Sequence, residues 1–156
     1  MNNRKRLMEA ALLILVVAGM ICYGTKGSEE WEDNYTGIPD AVSSMSSDNW
    51  QYLKVVANSD RIEDKEAFAC EVVRMCRENS FHTIRFSTDI NGYPRGLTIT
   101  VYLNRRGVEK NEPVCEIDFR TEEYREDWDI KNNVEHFQLY LDGKELIFYI
   151  NEDLGF

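Results

Sequence analysis

The feature that most narrows the fold is an alternation of apolar and polar residues through the second half of the chain. Leu97, Ile99, Val101 and Leu103 alternate with Thr98, Thr100 and Tyr102, and Cys115, Ile117 and Phe119 alternate with Glu116, Asp118 and Arg120. Ile84 and Phe86 alternate in the same way with Thr83, Arg85 and Ser87. Successive side chains of a strand point to opposite faces, so this pattern predicts half-buried antiparallel strands. Residues 50–57, rich in aromatic and β-branched types, read as a further strand. Residues 89–96 and 105–113 are the expected connections.

Asp142-Gly143 is a strong signal for a two-residue type I′ turn. Closing a hairpin there pairs Leu139 with Leu146 and Phe137 with Phe148 on one face. Tyr140 with Glu145, Gln138 with Ile147 and His136 with Tyr149 fall on the other. Turn chemistry and burial pattern agree on one register.

Between residues 65 and 79 the period changes. Phe68, Val72, Met75 and Cys76 recur at helical spacing, with Arg74, Arg77 and Glu78 off the stripe and Asp60 or Asp64 as the cap. Arg74 and Glu78 form an i,i+4 pair in the less favourable order. The expected architecture is α+β: one amphipathic helix on a five- to six-stranded, mostly antiparallel sheet, in the order β-α-β-β-β-β, behind an N-terminal signal or anchor helix. This order resembles cystatin-like and related α+β folds in topology alone. No motif of such a family is present, and no functional residue follows from the resemblance.

The N-terminus carries an address. Arg4, Lys5 and Arg6 precede an uncharged apolar run of 14 residues from Ala10 to Tyr23, and an acidic, polar segment follows. As a helix that run rises about 21 Å, short of a hydrocarbon core of about 30 Å. Adding residues 7–9 reaches the lower edge of the spanning range, about 17 residues. Two readings compete: an uncleaved anchor with the C-terminus outside, and a cleaved signal peptide releasing a secreted chain. Val17/Gly19 and Cys22/Gly24 fit a cleavage site loosely, and Ile21 before Cys22 disfavours lipidation. The expected organisation is 1–23 signal peptide or anchor, 24–48 an acidic Ser/Gly linker, and 49–156 the α+β domain.

From Gly24 onward, 15 Lys and Arg face 27 Asp and Glu, a formal charge of −12. Nucleic acid and anionic lipid surfaces would both repel it. Cys70, Cys76 and Cys115 are too few for a disulfide scaffold. A Cys76–Cys115 bridge and three reduced thiols both fit. Cys70, read as outward-facing near Arg74 and Arg77, is a reactive-thiol candidate without a positioned base.

No nucleophile elbow, phosphate loop, metal signature or cofactor motif occurs, so no catalytic residue, metal or cofactor is assigned. His82 reads as a structural histidine at a strand start. Glu116 and Asp118 share a face about 6.6–6.8 Å apart, offset by Arg120. The acidic loop of Glu122, Glu123, Glu126, Asp127 and Asp129 lacks the oxygen spacing of a calcium loop. More weight falls on an outer sheet face expected to carry Tyr102, Tyr140, Tyr149, Arg85, Arg120 and His136, because Tyr and Arg anchor interfaces. Tyr124 and Trp128 in the acidic loop are a second candidate contact. The expected function is an exported, membrane-tethered binding or accessory module of a cell-envelope assembly. It would touch the membrane through residues 7–23 and a protein partner through its sheet face. A secreted small-ligand binder or inhibitor is the alternative, and a small enzyme the third reading.

Overall fold

The computed structural model describes residues 35–89, 92–123 and 125–146. Its strands are β1 (Asp40–Ser47), β2 (Trp50–Val56), β3 (Gly96–Tyr102), β4 (Cys115–Arg120), β5 (Gln138–Leu141) and β6 (Lys144–Glu145). The helices are α1 (Lys65–Glu78) between β2 and β3, α2 (Arg105–Lys110) between β3 and β4, and a 3₁₀ turn (Val134–His136) before β5. All six strands form one sheet in the order β1-β2-β3-β4-β5-β6. Among the described residues no helix is long and apolar enough to cross a membrane. The leader reading rests on residues 1–23, which lie outside the described ones.

The sheet is mixed. β2 and β3 run parallel, with Leu53 beside Ile99 and Val55 beside Val101, while the other neighbouring pairs are antiparallel. Parallel neighbours need a long crossover, and α1 supplies it. The helix does not merely lie on a meander, as the cystatin-like order suggested; it joins two adjacent strands in a βαβ unit.

The folded unit starts earlier than expected. Residues 40–47, read as linker, form β1 and pair with β2 from Asp40–Val56 to Ser47–Trp50, with an irregularity between Ala41 and Ser43. The hairpin closes through Asp48 and Asn49, whose φ values of 51° and 62° make the primed geometry that matches strand twist. Asp and Asn tolerate the left-handed region better than other non-glycine residues, so this pair turns without glycine.

The strand expected at residues 83–87 is absent, because side chains satisfy that backbone. The Asn79 amide accepts from Phe86 N–H at 2.7 Å and donates to Phe86 C=O at 3.1 Å. The Asp40 carboxylate accepts from the N–H groups of His82 (2.9 Å) and Thr83 (3.1 Å) and from the Thr83 hydroxyl. With its polar groups met locally, the segment needs no ladder.

α1 begins and ends on recognisable signals. Asp64 Oδ1 accepts from the N–H groups of Glu66 and Ala67, each at 3.0 Å. Asn79, at φ 53°, stops the helix while Ser80 N–H reaches back to Met75 C=O at 3.0 Å. On its solvent side Arg74 bridges Glu71 (2.7 Å) and Glu78 (2.6 Å). That hydrogen bond holds the Glu71 carboxyl below the ordinary range, partly offset by burial.

The core lies between α1 and one face of the sheet. Val72, Val73 and Cys76 meet Leu53, Val55, Leu97, Ile99, Val101, Ile117, Phe119 and Leu139, all essentially inaccessible to solvent. Each large aliphatic side chain so placed contributes about 1.5–3 kcal/mol of transfer free energy. Phe119 stacks on Phe137 at 5.1 Å. The C-terminal hairpin keeps its expected register: Asp142 (φ 49°) and Gly143 (φ 77°) turn it, Tyr140 opposes Glu145, and Leu146 N–H bonds Leu139 C=O at 2.8 Å. The expected partners Ile147, Phe148 and Tyr149 lie outside the described residues.

Candidate functional site

Strand parity sends Trp50, Tyr52, Thr98, Asp118, Arg120 and Tyr140 to the face of the sheet opposite α1. Register places Trp50 beside Gly96, Tyr52 beside Thr98, Thr98 opposite Asp118, and Asp118 opposite Tyr140. The result is a row running from β2 to β5, about 14 Å at three inter-strand steps.

Contacts within the row are specific. The Trp50 indole N–H donates to Thr98 Oγ1 at 3.2 Å, and the Thr98 hydroxyl donates to Asp118 Oδ1 at 2.7 Å. The Trp50 ring lies flat on Gly96, where an added Cβ would fall 2.5 Å from the ring carbon Cζ3. Glycine therefore seats the indole, and the hydroxyl relay fixes its rotation. Arg120 spreads its guanidinium over the Tyr140 ring, 4.4 Å from the centroid. Beside Trp50, Tyr52 is 41 % exposed and its neighbour across the β1–β2 ladder, Met45, 61 % exposed.

The expected roster of this face needs correction. Tyr102 has the right parity but is 1 % exposed. α2 and its C-terminal residue cover it, and its hydroxyl meets Asn111 Oδ1 at 3.3 Å. The segment 105–110, expected as loop, is helical because Asn104 caps it, accepting from Gly107 N–H at 2.9 Å. Arg85 is exposed on the non-strand segment after α1, away from the sheet ladder. Tyr140 keeps its place at 9 % exposure, and Arg120 is exposed beside it. Tyr149 lies outside the described residues.

His136 belongs to the 3₁₀ turn, not to the outer face, and stacks on Trp128 at 3.9 Å with planes 8° apart. Two residues expected at different sites are thus brought together. Arg125 covers Trp128 at 5.2 Å, and Glu135 lies 3.4 Å from His136 Nε2. Tyr124, the other expected loop contact, lies outside the described residues.

Cys70 is not outward-facing. It is 4 % exposed, and Cys70, Cys76 and Cys115 are all buried thiols outside any disulfide. The buried arc of α1 also takes in Ala69 and Val73 and is wider than the Phe68–Val72–Met75–Cys76 stripe. Burial pushes the Cys76 thiol far up and the Cys115 thiol up to about 11, so neither carries thiolate character at neutral pH.

His82 has an exposed side chain and lines a cleft of about 390 Å³ with Asp40, Thr83, Asn58, Ser80 and Arg105. Asp40 also accepts from Ala41 N–H at 3.0 Å, which brings its donors to four and makes it a clamp between β1 and the segment after α1. Among the described residues no group of three or more His, Cys, Asp or Glu side chains could hold a metal ion. What the open face offers chemically is contact: flat aromatic surface beside hydroxyl, carboxylate and guanidinium groups.

Sequence reasoning missed Trp50, Tyr52 and Met45 as site residues. Trp50 and Tyr52 were read as part of a sheet strand with no site role, and Met45 as linker. The signal was there in Asp48-Asn49, a turn pair flanked by two stretches that can lie side by side. No protein-family model matches the chain, and neither a curated protein nor a solved structure matches it.

Proposed function

We propose that this chain is an exported, membrane-tethered binding module that serves as an accessory subunit of a cell-envelope assembly. It meets its protein partner with the open face of the sheet. The observation that carries the reading is the uncovered aromatic corner of that face, where Trp50 lies flat on Gly96 and Tyr52 and Met45 stand exposed beside it. Aromatic and methionine side chains with a polar surround are what interface centres are made of. The basic–apolar–acidic order of residues 4–33 supports export with the C-terminal domain outside.

Photo-crosslinking tests it. A photoreactive amino acid at Tyr52 in the full-length chain, expressed in its native cells, is expected to give one dominant membrane-protein adduct. The same probe at Glu71, on the solvent side of α1, gives none. Equal adduct patterns from both positions, or none from Tyr52, overturn the reading.

A further inference from the structure

The two edges of the sheet differ, and the difference points to a mode of docking. Among the described residues β6 presents Lys144 and Glu145, both charged and exposed. β1 is the opposite kind of edge. Residues 43–47 are all exposed, uncharged and free of proline, and among the described residues they pair with β2 alone. Their outward N–H and C=O groups form a template for another strand, about 17 Å long at about 3.4 Å per residue. The irregularity between Ala41 and Ser43 ends the usable edge at its start, and the Asp48-Asn49 turn ends it at the other.

We propose that β1 is a strand-addition site that takes an extended segment of a partner protein, basic at its ends, along residues 43–47. This deepens the binding-module reading and rests on it. Charge selects the occupant. Asp40 and Asp48 bracket the edge, and the exported part of the chain carries −12. Lys54, opposite Ser43, sends its ammonium toward the Tyr102 ring of β3, 6.0 Å from the centroid and away from the edge. A second copy is a poor occupant, since two chains that each carry −12 from Gly24 onward repel one another. Main-chain bonds would supply affinity, and Met45 with Tyr52 would receive a side chain of the added strand on the open face.

The test uses the full-length chain in detergent micelles and two capped peptides at millimolar concentration, Lys-Val-Thr-Val-Lys and Glu-Val-Thr-Val-Glu. Amide hydrogen exchange followed by mass spectrometry is expected to slow at least fivefold in residues 43–47 with the basic peptide alone. Exchange in α1 is expected to stay unchanged. The double variant Ser43→Lys/Ser47→Lys is expected to bind the basic peptide at least tenfold more weakly, and Ser43→Glu/Ser47→Glu at least as well as the parent. Equal protection by both peptides, or none at residues 43–47, overturns the proposal. Crosslinks from Tyr52 without protection at residues 43–47 overturn the edge and leave the open-face reading standing. Protection without such crosslinks supports the edge and removes the open face.

Discussion

Asn79 helps decide the path after α1 in two ways. It supplies the left-handed residue that stops the helix, and its amide holds both backbone groups of Phe86. Asn79→Ala should therefore cost about 2–3 kcal/mol, combining a strained φ with unmet polar groups. Asn79→Gly should cost about 1 kcal/mol less, because it relieves the strain and not the lost bonds. Urea unfolding of the three proteins checks the order; equal losses would show that the left-handed conformation is not what matters. Cys115 gives a pH-dependent prediction. Its thiol has an ordinary value of 9.0 and is pushed up to about 11 in the fold, chiefly by burial. Between those values the unfolded chain has released the proton and the native chain retains it, so stability falls as pH rises. The slope approaches about 1.4 kcal/mol per pH unit for each such thiol. Unfolding at pH 8 to 11 should show this decline, and Cys115→Ala should make it shallower while the share of Cys76 remains. The buried thiols, Cys70 included, should also resist alkylation at pH 8 until denaturant is added.

At the scale of elements, β1 separates what was legible in the sequence from what was not. β3, β4 and the hairpin through Asp142-Gly143 were readable because their signals are local: alternation within a strand, a glycine at a positive φ. α1 was readable from its stripe and from Asp64. β1 was not, since Ser43, Ser44, Ser46 and Ser47 have the composition of a linker, and only pairing with β2 makes them a strand. The parallel alignment of β2 and β3 was equally hidden, because neither strand alone records its neighbour's direction. For the site, Arg120 and Tyr140 were found by parity, whereas Tyr102 was lost to a six-residue helix carrying a glycine. A chain starting at residue 49 is therefore expected to lose several kcal/mol against one starting at residue 35, at about 1 kcal/mol per ladder bond removed. Thermal unfolding of the two fragments decides it; matching midpoints would return residues 40–47 to the role of a tether.

At the scale of the whole molecule, the proposed address and the proposed contact surface fall on different parts of the chain and can be tested apart. Deleting residues 1–23 should move the protein from the membrane pellet to the soluble fraction, while protease added to intact cells should digest the full-length chain from outside. Recovery of a shortened chain in the growth medium would instead favour release after cleavage. The βαβ unit also has a consequence in time. Trp50 and Thr98, which share a hydrogen bond, are 48 residues apart in the chain. At about 5–20 residues per second of synthesis, β2 waits roughly 2–10 s for β3 to be made. During that interval β1 can already occupy one flank of β2, since a two-residue turn joins them, but the other flank stays open. The interior-bound side chains Leu53 and Val55 stay uncovered with it until β3 and α1 close over them.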